Sequence, residues 1–198
     1  ETVVFSHGTG RSDEWYISRF FNQYGSPNVA MGGAEMCWCP TYSIESATFG
    51  QFGATSTAPN TQCVVFWGRN PAQCGDFPEH WGYSQLFANN PDAKIIVVDP
   101  RCTEYAARAD IWLRLRPGTD GALALGMANY LVENDLYDRE FVEKWCYGFD
   151  ELAERVKEWT PERAEAVCWV PKDTIIGAAR AYAKAKPATI HWGLPIDQ

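Results

Sequence analysis

Short β-branched apolar runs alternate with longer amphipathic stretches along this chain, the pattern of strands joined by crossover helices in a parallel sheet. Ile95-Ile96-Val97-Val98 is uninterrupted and reads as a strand from Lys94 to Val98 buried on both faces. Asp99-Pro100 ends it, because proline brings no ladder N–H. Cys63–Trp67 is a second buried strand, closed by Gly68-Arg69-Asn70-Pro71. Thr2–Ser6 is a β-run ending at His7-Gly8-Thr9-Gly10, Ile111–Leu115 is a shorter strand suited to an edge, and Thr189–Trp192 is a last strand ending at Gly193.

Helical spacing fills the intervals. Ser12 or Asp13 caps a helix with Trp15, Ile17, Phe20 and Phe21 on its apolar side, and Gly25-Ser26-Pro27-Asn28 stops it. A helix is expected near Trp81–Ala88, and another over Gly121–Val132 with Leu123, Met127, Tyr130 and Leu131 facing inward. From Asp138 the texture becomes helical throughout, in stretches at Asp138–Cys146, Asp150–Trp159, Pro161–Cys168 and Lys172–Ala185. Pro161 and Pro171 stand at helix starts, where a missing N–H costs nothing. The predicted fold is α/β, a parallel Rossmann-like sheet with flanking helices and a mostly helical insertion near the C-terminus. The expected division is an α/β ligand-binding domain over 1–136, a helical insertion over 137–187 and a return strand over 188–198.

Composition narrows the partners. The 198 residues are 46% hydrophobic and 21% charged, enough for a sizeable core. A net charge of −8 argues against nucleic acid or an anionic membrane surface, which need a basic face. No apolar run is long enough to cross a bilayer. The seven cysteines (37, 39, 63, 74, 102, 146 and 168) contain no Cys-x-x-Cys pair, so neither a zinc ribbon nor a thioredoxin motif is indicated. The chain opens without Met directly in a strand and stops just after another, so it reads as a piece of a longer polypeptide, and its compartment stays unassigned.

The chemistry gathers at strand ends. Glycine or proline at one strand end is an ordinary turn. The same signature at His7-Gly8-Thr9-Gly10, Gly68-Arg69-Asn70-Pro71, Asp99-Pro100-Arg101 and Trp192-Gly193 predicts one ligand rim on one sheet. Gly8 and Gly10 let the backbone approach a ligand closely. Asp99 and Asp120 can accept from the amino edge of a purine-like base, and Arg101, Thr103 and backbone N–H groups can hold phosphate. A nicotinamide-binding Rossmann domain is a rival, but its fingerprint needs a third glycine where Asp13 stands. Cys37-Trp38-Cys39-Pro40 offers thiolates to a soft metal, or two ordinary buried thiols. Zinc is disfavoured, since His7, His80 and His191 are scattered.

Motif order then points to a family. Gly25-Ser26-Pro27-Asn28 is followed by Cys37 with Pro40, then Trp67-Gly68-Arg69-Asn70-Pro71, then Val98-Asp99-Pro100-Arg101 with Thr103. Ala109-Asp110-Ile111-Trp112-Leu113, Arg116-Pro117-Gly118-Thr119-Asp120-Gly121-Ala122-Leu123, Tyr137-Asp138-Arg139-Glu140-Phe141-Val142 and Trp192-Gly193 come after it. This series, over essentially the whole chain, resembles the molybdopterin oxidoreductases of the dimethyl sulfoxide reductase family. The Gly-Ser-Pro-Asn turn and Leu136–Val156 look closest to its acetylene hydratase, transhydroxylase and anaerobic dehydroxylase branch.

The resemblance implies an oxidoreductase with molybdenum or tungsten held by two molybdopterin guanine dinucleotides. Cys37 matches the position of the protein's metal ligand, with Trp38 beside it. Asp99, Arg101 and Thr103 match a segment contacting one dinucleotide, and Pro117, Gly118 and Asp120 one that closes over the guanine. Gly68 and Asn70 match a pterin-side loop, and Trp192 and Gly193 a strand end near the other pterin. Many formate dehydrogenase-like members carry a catalytic His where Trp38 stands, so formate chemistry is in doubt. The resemblance further implies a small-molecule substrate, an iron–sulfur cluster in a region outside this chain, an iron–sulfur electron-transfer subunit as partner, and a C-terminal cofactor domain also outside it. A prokaryotic cytoplasm or periplasm would suit. A non-catalytic subunit that kept the fold without the metal is the alternative, alongside the nicotinamide domain.

Overall fold

A computed structural model of the chain describes residues 3–7, 14–31, 43–44, 46–48, 50, 58–73, 77–193 and 196. They fall into two compact units, Glu1–Ala54 with Asp197–Gln198, and Thr55–Ile196.

In the first unit, strand β1 (Phe5–His7), helix α1 (Glu14–Tyr24) and strand β2 (Val29–Met31) form a βαβ turn. The strands pair in parallel, Phe5 opposite Val29. Phe21 is the buried anchor of α1, its ring 4.9 Å from that of Phe5. The expected apolar side of α1 is only partly used, because Trp15 and Phe20 are exposed. A two-stranded sheet offers too narrow a surface to cover several large rings. Gly25 ends the helix at φ 84°, a conformation that favours glycine.

The second unit holds a four-stranded sheet. Its strands are β3 (Cys63–Trp67), β4 (Lys94–Val98), β5 (Ile111–Leu113) and β6 (Ala188–Trp192), in the spatial order β5-β4-β3-β6. All neighbouring pairs are parallel. β3 is buried at every residue, as its continuous apolar run requires. β5 lies at an edge, as its length suggested. β1 pairs with β2 in a separate sheet rather than joining these strands, so the expected single rim of four strand ends is corrected: the His7 loop leaves a different sheet. The local βαβ turn already supplies β1 with a partner.

Pleating sorts the core into two layers. Cys63, Val65, Trp67, Ile96 and Val98 point to one face, and Val64, Phe66 and Val97 to the other. Helix α2 (Phe77–Asn89) joins β3 to β4 and covers the second face, where the Phe66 ring lies 4.8 Å from Tyr83 and 4.4 Å from Tyr105. The Tyr83 hydroxyl also meets His191 Nδ1 at 2.7 Å, tying α2 to β6. On the first face lie α3 (Asp120–Glu133), then α6 (Pro161–Cys168) and α7 (Lys172–Lys184), with α4 (Arg139–Trp145) and α5 (Phe149–Val156) between them in sequence. The helical texture expected from Asp138 onward is therefore present. Asp138 caps α4 by accepting from Phe141 N–H, and Thr160 caps α6 by accepting from Arg163 N–H, with Pro161 at its start. Gly126 lets α3 and α6 touch, since a Cβ there would lie 2.5 Å from that of Ala164. The buried Asn129 amide donates to the Val156 carbonyl at 2.9 Å and pins α5 to α3. No helix among the described residues is long and apolar enough to cross a membrane.

The order carries one functional consequence. The chain steps outward from β3 to β4 to β5, then returns to the far side of β3 as β6. Connections on the two sides of β3 thus diverge at the β3–β6 junction. In open α/β sheets such a reversal opens a crevice at the carboxyl ends of the strands, where ligands bind.

Candidate functional site

Parallel register brings the carboxyl ends together. Trp67 lies opposite both Val98 and Trp192, and Val98 lies opposite Leu113. The segments that follow, beginning at Gly68, Asp99, Arg114 and Gly193, therefore leave from one edge of one sheet.

At the junction itself the backbone is bare. Gly193 N–H donates to the Trp67 carbonyl at 2.9 Å, and Gly68 N–H donates to the Val98 carbonyl at 2.8 Å. Gly68 turns at φ 59°. A Cβ on Gly193 would fall 2.0 Å from the Gly68 carbonyl oxygen, so no side chain fits between the two ends. Gly193 is buried, whereas Trp192 is 43% exposed.

After β4, Asp99 folds back on its own turn. Its carboxylate is buried, and Oδ1 accepts from Arg101 N–H at 2.8 Å and from Arg101 Nε at 3.4 Å. This Asx-type turn leaves most of the Arg101 side chain in solvent, where its guanidinium can meet an anion. The Trp112 indole donates to the Asp99 carbonyl at 2.8 Å and holds the turn against β5. Thr103 is buried, and its hydroxyl accepts from Ala106 N–H to start a 3-10 turn over Ala106–Arg108. Asn70, also buried, donates through Nδ2 to Glu104 Oε2 at 2.8 Å, and Gln73 Nε2 donates to Oε1 at 3.0 Å. These contacts, the Asn70 bond foremost, hold the Glu104 carboxyl below the usual value. They also join the loop after β3 to the loop after β4.

After β5, the chain runs through exposed Pro117 and Gly118 into α3. Gly118 turns at φ 78°, and the Thr119 hydroxyl donates to the Arg116 carbonyl at 2.5 Å. Asp120 opens α3, where a negative charge suits the helix dipole. Its Oδ1 accepts from the Trp67 indole N–H at 2.8 Å, linking α3 to the end of β3. A Cβ on Gly118 or Gly121 meets nothing within 4 Å, so the backbone on either side of Asp120 is open to approach. Arg116 stacks over the exposed Trp169 ring, 5.2 Å from its centroid.

Gly68, Asn70, Asp99, Arg101, Thr103, Pro117, Gly118, Asp120, Trp192 and Gly193 all lie on these carboxyl-end segments of one sheet. Gly8, Gly10, Cys37 and Trp38 lie outside the described residues. Sequence reasoning missed Trp67, Trp112 and Glu104 as parts of the arrangement. The available signal was a tryptophan at or near the end of a strand, because a buried indole N–H needs an acceptor. The acceptor itself was not marked, since Trp67 leads into Gly68-Arg69-Asn70-Pro71 and meets Asp120 53 residues on. Among the described residues no group of three or more His, Cys, Asp or Glu is placed to hold a metal ion. The rim's own chemistry is hydrogen bonding: the carboxylates of Asp99, Glu104 and Asp120, the exposed side chains of Arg101 and Arg116, and open backbone.

Comparison with known proteins bears on the family and the fold. A family model described as molybdopterin oxidoreductase matches residues 2–194. The chain is 38% identical over 191 residues to acetylene hydratase of Syntrophotalea acetylenica, covering 94% of this chain and 25% of that protein. It is 33% identical over 202 residues to formate dehydrogenase H of Escherichia coli, covering 100% of this chain and 28% of that one. Among solved structures, acetylene hydratase from Pelobacter acetylenicus superposes with a TM-score of 0.72 at 38% identity, over 92% of this chain and 24% of the other. The chain spans about a quarter of the length of these relatives.

Proposed function

The chain belongs to the molybdopterin oxidoreductase family, and from that premise we propose that it binds part of a molybdopterin guanine dinucleotide cofactor in the catalytic subunit of such an enzyme. The observation that carries this reading is the convergence of the segments after β3, β4, β5 and β6 at the strand-order reversal, with Asp99 and Asp120 among them. The residues suit the group. Guanine offers two adjacent N–H donors on one edge, and a carboxylate supplies two acceptors. Asp120 fills that role, with open backbone at Gly118 and Gly121 beside it. Arg101 and backbone N–H groups meet the pyrophosphate, while Asp99 fixes the turn that presents Arg101. Thr103 and Asn70 brace that same turn, and Pro117 shapes the approach to the base. Gly68, Gly193 and Trp192 line the junction on the pterin side.

The metal, molybdenum or tungsten, supplies the reacting centre for oxygen-atom, hydroxyl or electron-pair chemistry when the cofactor is bound. Cys37 is its protein ligand in this reading, on the strength of the motif match. Trp38 gives the neighbouring substrate position an apolar wall, which suits a small apolar or aromatic molecule. Gly8 and Gly10 add backbone contacts to the cofactor. The stretch 137–187 is an insertion that braces α3, and 188–198 returns the chain to the cofactor. An iron–sulfur cluster and an electron-transfer partner belong to the intact polypeptide's assembly.

Metal analysis of the purified intact polypeptide, with pterin fluorescence after oxidation and assay of GMP released by acid, tests the proposal. Molybdenum or tungsten together with pterin and GMP is the expected result. Protein lacking pterin and GMP when produced in a cofactor-competent host overturns it.

A further inference from the structure

We propose that Trp67 is a positioning residue for base recognition: its indole N–H holds the Asp120 carboxylate in the orientation that reads an amino-edged purine. The inference rests on the cofactor reading above and adds a residue to it.

A carboxylate at the first position of a helix has other uses. It can rotate about two side-chain bonds, and unpaired N–H groups of the first turn compete for it. Asp120 is held instead by a donor from another element. Trp67 Nε1 lies 2.8 Å from Asp120 Oδ1, across 53 residues of sequence. Among the described residues this indole is the protein donor that the carboxylate meets.

Trp67 can serve as a fixed point because it is buried and bonded on several sides. It is 8% exposed, ends the strand buried at every residue, and packs in the core beneath α3. Its carbonyl accepts from Gly193 N–H, and the next residue, Gly68, donates to Val98. Trp67 thus contacts the start of α3 and the end of β6, and lies one bond from the link to β4. A base-reading carboxylate gains from such anchoring, since a geometry set in advance costs less ordering when ligand binds. The hydrogen bond also leaves capacity for a base: a carboxylate has about four lone-pair sites, and the indole takes one.

The chemistry predicts selectivity. Guanine presents two donors to a carboxylate, whereas adenine presents one donor beside an acceptor. An Asp120 held in place favours guanine; one free to swing discriminates less. The test uses the intact polypeptide, prepared free of cofactor from a host unable to make the pterin, with GDP and ADP as calorimetric probes. Two changes are made at position 67. Trp67→Phe removes the N–H with part of the ring. Replacement by benzothienylalanine keeps the bicyclic shape and exchanges N–H for sulfur, so folding is preserved if Trp67→Phe is not tolerated.

Both changes should weaken GDP binding roughly tenfold and leave ADP binding unchanged, the size expected for one charge-assisted hydrogen bond. In an Asp120→Ala background the change at 67 should have no further effect on GDP. Equal losses for GDP and ADP, an unchanged GDP-to-ADP ratio, or a loss that persists in Asp120→Ala overturns the positioning role. Wild-type protein that does not bind GDP, or Asp120→Ala that binds it normally, refutes the base-binding reading itself and the inference with it.

Discussion

Gly193 and Gly68 meet so closely that a Cβ on Gly193 would stand 2.0 Å from the Gly68 carbonyl oxygen. The contact sits where β6 rejoins β3, at the reversal of strand order. Gly193→Ala must push the end of β6 away from β3 or break the bond from Gly193 N–H to Trp67. Overpacking of this kind costs about 2 kcal/mol, and cofactor retention should fall with it. Gly121→Ala is the control, because its Cβ meets nothing within 4 Å and alanine favours a helix. Urea unfolding should show a lower midpoint for Gly193→Ala and an unchanged or higher one for Gly121→Ala. A wild-type midpoint for Gly193→Ala contradicts the packing described.

Cys63 sets an alkaline limit on stability. Burial, with a smaller contribution from the Asp110 charge, pushes its thiol from 9.0 up to about 11. The folded state holds this proton more tightly than the unfolded chain. The associated stability is therefore complete below about pH 9 and lost as pH rises through about 11. The loss across that window is on the order of 2 kcal/mol. Cys63→Ala removes this slope while adding a cavity cost that does not depend on pH. Urea midpoints measured near both limits should converge between wild type and variant as pH rises. Parallel pH profiles would show that the thiol does not report burial.

Trp169 ends α6 in a left-handed conformation, φ 65°, with its ring 68% exposed. A non-glycine residue gives up about 1 kcal/mol there. The stacking of Arg116 over the exposed ring returns roughly 0.5 kcal/mol. Trp169→Gly should therefore raise the thermal midpoint slightly. A fall of several degrees means that the indole contributes packing beyond its contact with Arg116.

Strands buried on both faces were the most legible part of the fold. Cys63–Trp67 and Lys94–Val98 appear with the boundaries expected, because uninterrupted apolar runs between Gly- or Pro-bearing turns leave little choice. Ile111–Leu113 is shorter than expected, its final residues peeling off as Arg116 N–H bonds to Cys168 instead. Strand order was not legible. Local patterning does not distinguish β3 from β5 as the partner of β6, and that choice creates the reversal of strand order. The α1 reading overestimated burial, since helical spacing shows which residues share a face but not how much surface is available to cover it. The Asp99 and Asp120 turns could be read from their residues. Their indole anchors were signalled only as tryptophans near strand ends; which acceptor each meets could not be read, because Trp67 and Asp120 meet only after the sheet and α3 have assembled.

The central claim, that one edge of this sheet holds a guanine dinucleotide, is tested most directly by hydrogen exchange on the intact polypeptide with and without its cofactor. The account predicts slower exchange in the loaded protein at residues 68–73, 99–104, 116–121 and 192–193, with the 116–121 effect lost in Asp120→Ala. Cofactor-dependent protection confined to other segments, with these four unchanged, would contradict it.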